Sequence, residues 1–394
     1  MTLTEKTPER DKAAKLFTNS LMIMALGFAI AKTMSGVIIN HIVDHFALVG
    51  AEQGYMISMN NIGMTAAIIS TIAIHFKFKK TSMLTLSALL AVVTMALTGL
   101  AGTFVVLLVV SFIFGFAMGW FDPYINSCVI DANPGGSAKY QSAMQGFYSI
   151  GAIIAPVVVS ALLIKGSWRE VYLILAPVIS VALVIYVVSV RKAGKSISFS
   201  GMESKKITGG EILSFLKRKK SNWLLLTCMA YYIMQYGLFA WLVRYMSVQY
   251  GQEALGMTGV TVMWIFTTVS RFTWPRLPAD NMKLHSFGAL IAGVTLFIGI
   301  FSGNPWIMII MVGAGALTTG NSLPTLMNRI VITYDGGSLL PTSVMLLTMQ
   351  IIGMIVPPLL GWMSLFSMQS TMVILAVAAV VSGLFGFVVM RILK

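Results

Sequence analysis

The sequence predicts an all-α polytopic membrane protein, with twelve transmembrane helices arranged as two six-helix bundles. Three observations carry that prediction. Of the 394 residues, 57% are hydrophobic and only 10% charged, with a mean hydropathy of +0.86, a balance foreign to soluble globular domains. The apolar residues gather into about twelve runs long enough to cross a bilayer. The two halves of the chain also echo one another at an offset of about two hundred residues.

Taken in order, the runs cover approximately 16–41, 54–76, 82–101, 103–131, 140–164, 170–190, 222–247, 256–274, 284–302, 305–331, 340–363 and 369–391. Basic residues fall in alternate gaps. Lys6, Arg10, Lys12 and Lys15 precede the first run, and Lys77, Lys79 and Lys80 follow the second. Lys139 follows the fourth, and a dense group from Arg191 to Lys220 follows the sixth. Arg276, Lys283, Arg329, Arg391 and Lys394 continue the pattern, while the other side offers little beyond Lys165, Arg169 and Arg244. By the positive-inside rule this predicts a multi-pass protein of the cytoplasmic (inner) membrane with both termini cytoplasmic.

The expected organisation is a cytoplasmic tail over 1–15, an N-terminal six-helix bundle over 16–190, a cytoplasmic central loop over 191–221 and a C-terminal six-helix bundle over 222–394. The tail, MTLTEKTPERDKAAK, is polar and leads into a run too long for a signal-peptide core, with no small-residue cleavage pattern, so it is expected to remain. In the central loop, SISFSGMESKK reads as flexible. The T-G-G-E spacing of Thr208 and Glu211 then predicts a capping box opening a short amphipathic helix, Ile212–Lys220, at the headgroup interface.

The echo between halves rests on residues that punctuate helices. Gly36 in the first run answers Gly237 in the seventh, and Pro123 in the fourth answers Pro324 in the tenth. Ile150-Gly151 and Pro156 in the fifth answer Ile352-Gly353 and Pro358 in the eleventh. Three matches in register point to two parallel six-helix repeats, the plan of major facilitator transporters, with a solute site near the membrane midplane.

Charge at membrane depth marks the candidate site. Asp122 lies near the middle of the fourth run, where a carboxylate costs roughly 2.5–3.5 kcal/mol to insert. Pro123 follows at once and removes a backbone donor that lipid cannot replace. Both suit a segment facing protein or water. Lys32, in the first run, is the natural partner. An ammonium beside a carboxylate favours its ionised form, so an anionic solute engaging Lys32 would let Asp122 take a proton more readily. That is a physical route to proton coupling; a structural ion pair is the bland alternative.

A second group consists of amides and aromatics in mid-run: Asn126 after Asp122, Gln145 and Tyr148 in the fifth run, and Tyr231, Tyr232, Gln235, Tyr236 and Trp241 in the seventh. Such groups hydrogen-bond hydroxyls while their rings pack on an apolar face, as a sugar-like solute requires. The alternative is hydrogen bonding between helices, worth about 0.6 kcal/mol per contact. Arg244, near the outer end of the seventh run, reads as a snorkelling or gating charge. His41, Asp44, His45 and Glu52 read as a solvated loop rather than a proton sensor.

Other chemistries find no support. The formal charge of +14 sits between apolar runs and forms no basic surface interleaved with aromatics, which argues against nucleic acid. Cys128 and Cys228 lie within apolar runs as packing residues, and the 28 methionines are scattered. No phosphate-cradling loop, zinc spacing or nucleophile elbow appears, so neither a cofactor nor a metal nor catalysis is expected.

Several of these residues carry a resemblance to a known family. MQGFYSIGAIIAP in the fifth run resembles the A-Q-T-F-N-S-F-G-A-I-I-A run of the fucose permease branch (fucose–galactose–glucose:proton symporters) of the major facilitator superfamily. WFDPYINS is similar to its L-E-T-A-A-N-P pattern, LPTLM to its Y-P-T-I-F, and WLVRYM to its W-L-V-N-Y. The resemblance implies that Gln145 faces sugar, that Asp122 is the acid of proton coupling, that Asn126 matches the family asparagine, and that Gln235 stands where relatives often have Glu. GFAIAKT resembles G-F-A-N-D-V-T, but Ala31 replaces the family's embedded Asp and Lys32 stands beside it, which suits an anionic solute. The superfamily's G-x-x-x-D-R-x-G-R loop motif is reduced to Lys77, Lys79 and Lys80, with Arg271 and Asp280 as fragments of its second copy and candidate gating residues.

The resulting expectation is a secondary transporter of a small sugar-like solute, coupled to protons and acting as a monomer among membrane lipids. Asp122 titrates with Lys32 as its partner or as an anion contact, and Asn126, Gln145, Tyr148, Tyr232, Gln235, Tyr236 and Trp241 touch solute. An organic-anion exchanger, a drug/proton antiporter and a non-transporting relative are the rivals.

Overall fold

The computed structural model describes residues 8–48, 52–74, 77–133, 136–164, 166–193, 208–335 and 337–393, and they are all-helical. The helices are α1 (Pro8–His45), α2 (Glu52–Ile74), α3 (Lys80–Gly99), α4 (Phe104–Ala132), α5 (Ser137–Leu163), α6 (Trp168–Ala193) and α7 (Gly209–Lys217). They continue as α8 (Lys219–Tyr250), α9 (Glu253–Thr273), α10 (Asn281–Phe301), α11 (Pro305–Thr319), α12 (Ser322–Ile332), α13 (Leu339–Ser364) and α14 (Met368–Leu393). Residues 1–7 and the stretch 196–206 read as flexible lie outside the described residues.

Among the described residues, ten helical stretches are long and apolar enough to cross a membrane: α1, α3, α4, α5, α6, α8, α10, α11 with α12, α13 and α14. The runs expected over 54–76 and 256–274 are helical too, as α2 and α9, but fall outside that set. On α9, threonines and Arg271 dilute the apolar run.

The outward faces are apolar, the reverse of a water-soluble helix. On α6 the exposed residues Ile174, Val178, Val181, Ile185 and Val188 recur every three or four positions, which draws one stripe along the helix. On α10 the same spacing exposes Phe287, Ile291, Val294, Ile298 and Phe301. Only a hydrocarbon solvent removes the cost of such stripes, so these helices face lipid.

The chain separates into two compact units, Met1–Ile207 with Gly336–Ser343, and Thr208–Asp335 with Val344–Lys394. In the first unit α1 packs on α5 and α6, α4 on α2 and α3, and α3 on α6. In the second α8 packs on α9 and α14, α11 on α9 and α10, and α10 on α14. The shared order (first with last, second with fourth, third with fourth and last) is the structural form of the sequence echo. Small residues let the backbones close. A Cβ on Gly115 of α4 would strike the Asn60 carbonyl oxygen, and one on Gly63 of α2 would strike that of Phe112.

Three local outcomes differ from the sequence reading. First, α1 begins at Pro8, inside the stretch read as a tail, because proline suits a first helical position. Second, the short helix is Gly209–Lys217 rather than 212–220: Arg218 is extended, ends α7 and starts α8. The capping box is present, with Thr208 Oγ1 accepting from Glu211 N–H and Glu211 Oε2 accepting from Thr208 N–H at 2.8 Å. Phe215 of α7 is fully buried against the Tyr334 ring. Third, the expected single helix over 305–331 is two helices, broken at Gly320–Asn321.

Candidate functional site

α4 positions the candidate residues of the first unit. It runs unbroken through Pro123 and is buried along almost all of Phe121–Ile130. Phe28 of α1 stacks on Phe121 at 4.4 Å between ring centroids, which sets α1 against α4 in the register that the charges need. Lys32, one turn further on α1, then places its Nζ 3.1 Å from Asp122 Oδ2. The pair is only partly covered: the lysine side chain is 33% exposed and the aspartate 18%.

An amide relay extends from this pair. Asn126 Nδ2 donates to the Asp122 carbonyl oxygen at 2.6 Å, one helical turn back. Its Oδ1 accepts from Gln145 Nε2 at 3.2 Å and from Gln141 Nε2. Ser149 Oγ donates to the Gln145 carbonyl at 3.0 Å. α5 therefore presents Gln141, Gln145 and Tyr148 at a spacing that keeps them on one face. Asp122, Lys32, Asn126 and Gln145 come together as a group; Tyr148 lies a turn beyond Gln145, half-buried.

Gln141 escaped the sequence reading, although it is completely buried and ties Asn126 to α5. It sits in the first turns of its helix, where a polar residue is ordinarily a solvated end, so hydropathy gave no signal. Lys80 and Asp131 escaped for the same reason. Lys80 counts as a loop charge in sequence, yet only 4% of its side chain is exposed. Its Nζ donates to Asp131 Oδ2 at 2.6 Å and to Ser338 Oγ at 3.1 Å. Ser338 Oγ also lies 2.5 Å from Ser127 Oγ. A buried ammonium requires this coordination, because isolated it would lose far more in solvation than it gains in contacts.

In the second unit the sequence-predicted residues lie along α8. Tyr232 and Tyr236 stack at 5.5 Å. Trp241 packs near Gly361 of α13, and Tyr236 near Gly353 of the same helix. Gln235 faces inward, lining a narrow cleft with Tyr231, Thr267, Thr319 and apolar side chains of α9, α10 and α11. The Tyr231 hydroxyl is buried there with no hydrogen-bond partner. Arg244 is exposed near the end of α8.

Arg271 and Asp280 do not act as one motif. Asp280 caps α10, accepting from Met282 and Lys283 N–H, and pairs with Arg329 of α12 at 2.9 Å. Arg271 is 2% exposed, and its Nε donates to the Gly320 carbonyl at 3.1 Å, at the break between α11 and α12. The reason lies four residues on: Pro324 has no N–H to give Gly320, so the arginine supplies the missing donor. His285, unremarked in sequence, is fully buried between Ser322 (Nδ1, 2.8 Å) and Ser382 (Nε2, 3.4 Å). Its two ring nitrogens thereby link α10 to α12 and α14. Cys128 and Cys228 are buried and free.

At the outer end of α1, His45 Nε2 lies 2.9 Å from an Arg169 guanidinium nitrogen, and the same guanidinium covers the Trp168 ring at 4.5 Å. His41 and Asp44 are exposed.

Comparison with known proteins accords with this arrangement. Residues 21–334 match the family model of the Major Facilitator Superfamily. Among solved structures, the chain is similar to a major facilitator transporter, FucP, in its outward conformation, with a TM-score of 0.75 at 18% identity over 96% of this chain and 99% of that one. It is equally similar to another structure of FucP, the E. coli fucose:proton symporter, with a TM-score of 0.75 at 19% identity over 94% and 98% of the two chains. No curated protein sequence matches it significantly. The helical pairing within each unit, the lipid-facing stripes and the family match lead to one assignment: this chain is a multi-pass membrane transporter belonging to the Major Facilitator Superfamily.

Proposed function

We propose that the protein is a secondary active transporter that moves a small, polar, sugar-like solute together with protons by alternating access. In this reading twelve spans form two six-helix bundles, over 16–190 and 222–394. The membrane is the cytoplasmic one, both termini are cytoplasmic, and the working form is a monomer. The observation that carries it is the Lys32–Asp122 contact of 3.1 Å, partly exposed and continued by the Asn126–Gln145 amides. A partly open ion pair at membrane depth is costly unless it is used. Similarity to a structure described as a fucose:proton symporter supports the solute class and the coupling ion.

The roles follow from chemistry. Asp122 is the group that takes up and releases the proton, and Lys32 is its partner or the contact for an anionic solute. Asn126, Gln145 and Tyr148, with Tyr232, Gln235, Tyr236 and Trp241 in the second unit, contact the solute. Arg244 belongs to gating, and Arg271 and Asp280 serve it by fixing the α11–α12 break and the start of α10.

The test is uptake into liposomes of purified protein, with internal pH recorded, across sugars, sugar acids and lipophilic cations. Asp122→Asn is expected to abolish accumulation driven by a pH gradient. Undiminished pH-driven accumulation by that variant removes Asp122 from the coupling. Silence towards the whole panel favours a receptor-like protein that moves nothing, and export of lipophilic cations favours a drug/proton antiporter.

A further inference from the structure

Among the described residues of the first unit's spans, one ammonium is left partly exposed. Among the described residues, the Lys80 ammonium is closed off by Asp131 and Ser338, whereas a third of the Lys32 side chain is exposed. The interior of α1 contributes no other ionisable side chain. Between 53 and 74 in α2, 81 and 99 in α3, 140 and 163 in α5, and 171 and 190 in α6 there is no Lys, Arg, His, Asp or Glu; tyrosines are the sole ionisable groups. α4 itself adds Asp131, committed to Lys80, with Tyr124 and Cys128, both buried. Charge in this part of the molecule therefore reduces to one cation and one carboxylate, 3.1 Å apart and both partly open.

That balance selects among solutes. If a neutral sugar enters and Asp122 takes a proton, Lys32 is left as an uncompensated cation among apolar helices, an unfavourable state that a second negative charge would relieve. If the solute brings its own carboxylate, it takes the place of Asp122 on the Lys32 ammonium. Asp122 is then protonated from water, and the charge of the site stays at zero. We propose, building on the transporter reading above, that the solute is a polyhydroxylated monocarboxylate, a sugar acid, taken up with one proton in an electroneutral cycle. One accessible ammonium matches one negative charge, which disfavours dianionic phosphate esters. The amide of Gln145 and the phenol of Tyr148, both half-buried, match hydroxyl groups beside that carboxylate, with Asn126 holding Gln145 in place.

The balance sheet is simple. Each inward passage carries one carboxylate anion and one proton, and the proton leaves Asp122 on the far side as the carboxylate returns to Lys32. No net charge moves, so a pH gradient drives the cycle and a membrane potential does not.

The test uses the full chain in liposomes with labelled glucuronate and gluconate against fucose and galactose. The drive is either a pH gradient at zero potential or a potassium–valinomycin potential at equal pH. The expected result is accumulation of the sugar acids under the pH gradient, none under potential alone, and no uptake of the neutral sugars. Lys32→Ala is expected to lower glucuronate uptake about tenfold or more, as loss of one charge-assisted hydrogen bond implies, and Lys32→Arg to restore most of it. Potential-driven uptake of fucose or galactose with sugar acids ignored would overturn the anion assignment while leaving sugar–proton transport intact. Potential-driven uptake of glucuronate overturns electroneutrality, and inactivity towards both classes overturns this inference and the transport reading together. The wild-type drive measurement needs no variant, so misfolding of Lys32→Ala leaves the proposal exposed to refutation.

Discussion

Pro123 and Pro324 stand at matching places in the two units, and their helices respond to them in opposite ways. α4 passes through Pro123 without interruption, and the polar investment goes into side chains: Asp122 to Lys32, Asn126 to Gln141 and Gln145. At Pro324 the backbone itself parts, into α11 and α12, and a buried arginine is spent on the orphaned Gly320 carbonyl. The first arrangement keeps two opposite charges partly open, 33% and 18% exposed, and so able to change partners. The second is closed, with Arg271 2% exposed. Of the two cations, one is left partly open beside its carboxylate and the other is sealed against a helix break.

The largest expected effect tests the closed side. Arg271→Ala removes the donor from a buried carbonyl and leaves a hole, and it is expected to cost about 3 kcal/mol or more, read as a fall in melting temperature in detergent. Lys32→Ala is expected to cost much less, about 1 kcal/mol or below, since water can reach the aspartate left behind. Equal losses at the two sites would erase the distinction. The next effect concerns packing. Gly115→Ala drives a methyl group into the Asn60 carbonyl of α2 and is expected to cost about 2 kcal/mol, whereas Gly353→Ala meets Tyr236 only at ordinary contact distance and is expected to be near neutral. The smallest and sharpest is a double-mutant cycle. Pro324→Ala restores an N–H at the position that Gly320 requires, so the loss from Arg271→Ala is expected to shrink by about 1 kcal/mol in that background. Simple additivity would mean that the arginine is not there for the proline.

Much of this was readable in the amino-acid order, for reasons that differ from residue to residue. Asp122 and Lys32 stood out because charge amid long apolar runs is rare. The T-G-G-E box was legible because capping is a local interaction within four residues. Lys80 was misread because the same feature, a lysine at the edge of an apolar run, serves both a solvated loop and a buried ion pair. Asp131, Gln141 and Ser338 were passed over because their partners lie on other helices. Pro324 announced a disturbed helix, but whether the chain would bend through it or break depended on a donor in α9.

The amino-acid order by itself determined that the chain is helical, that it lives in a membrane, that its halves share a plan and which two charges interrupt its long apolar runs. Those properties depend on composition, on periodicity along one helix and on the cost of charge in hydrocarbon, all of them local. Tertiary structure alone decided which cation is sealed and which is open, which amide holds Asn126, and which proline breaks its helix. Each of those depends on the rotation and register of one helix against another, set by the close approach of glycines and by stacked rings such as Phe28 on Phe121.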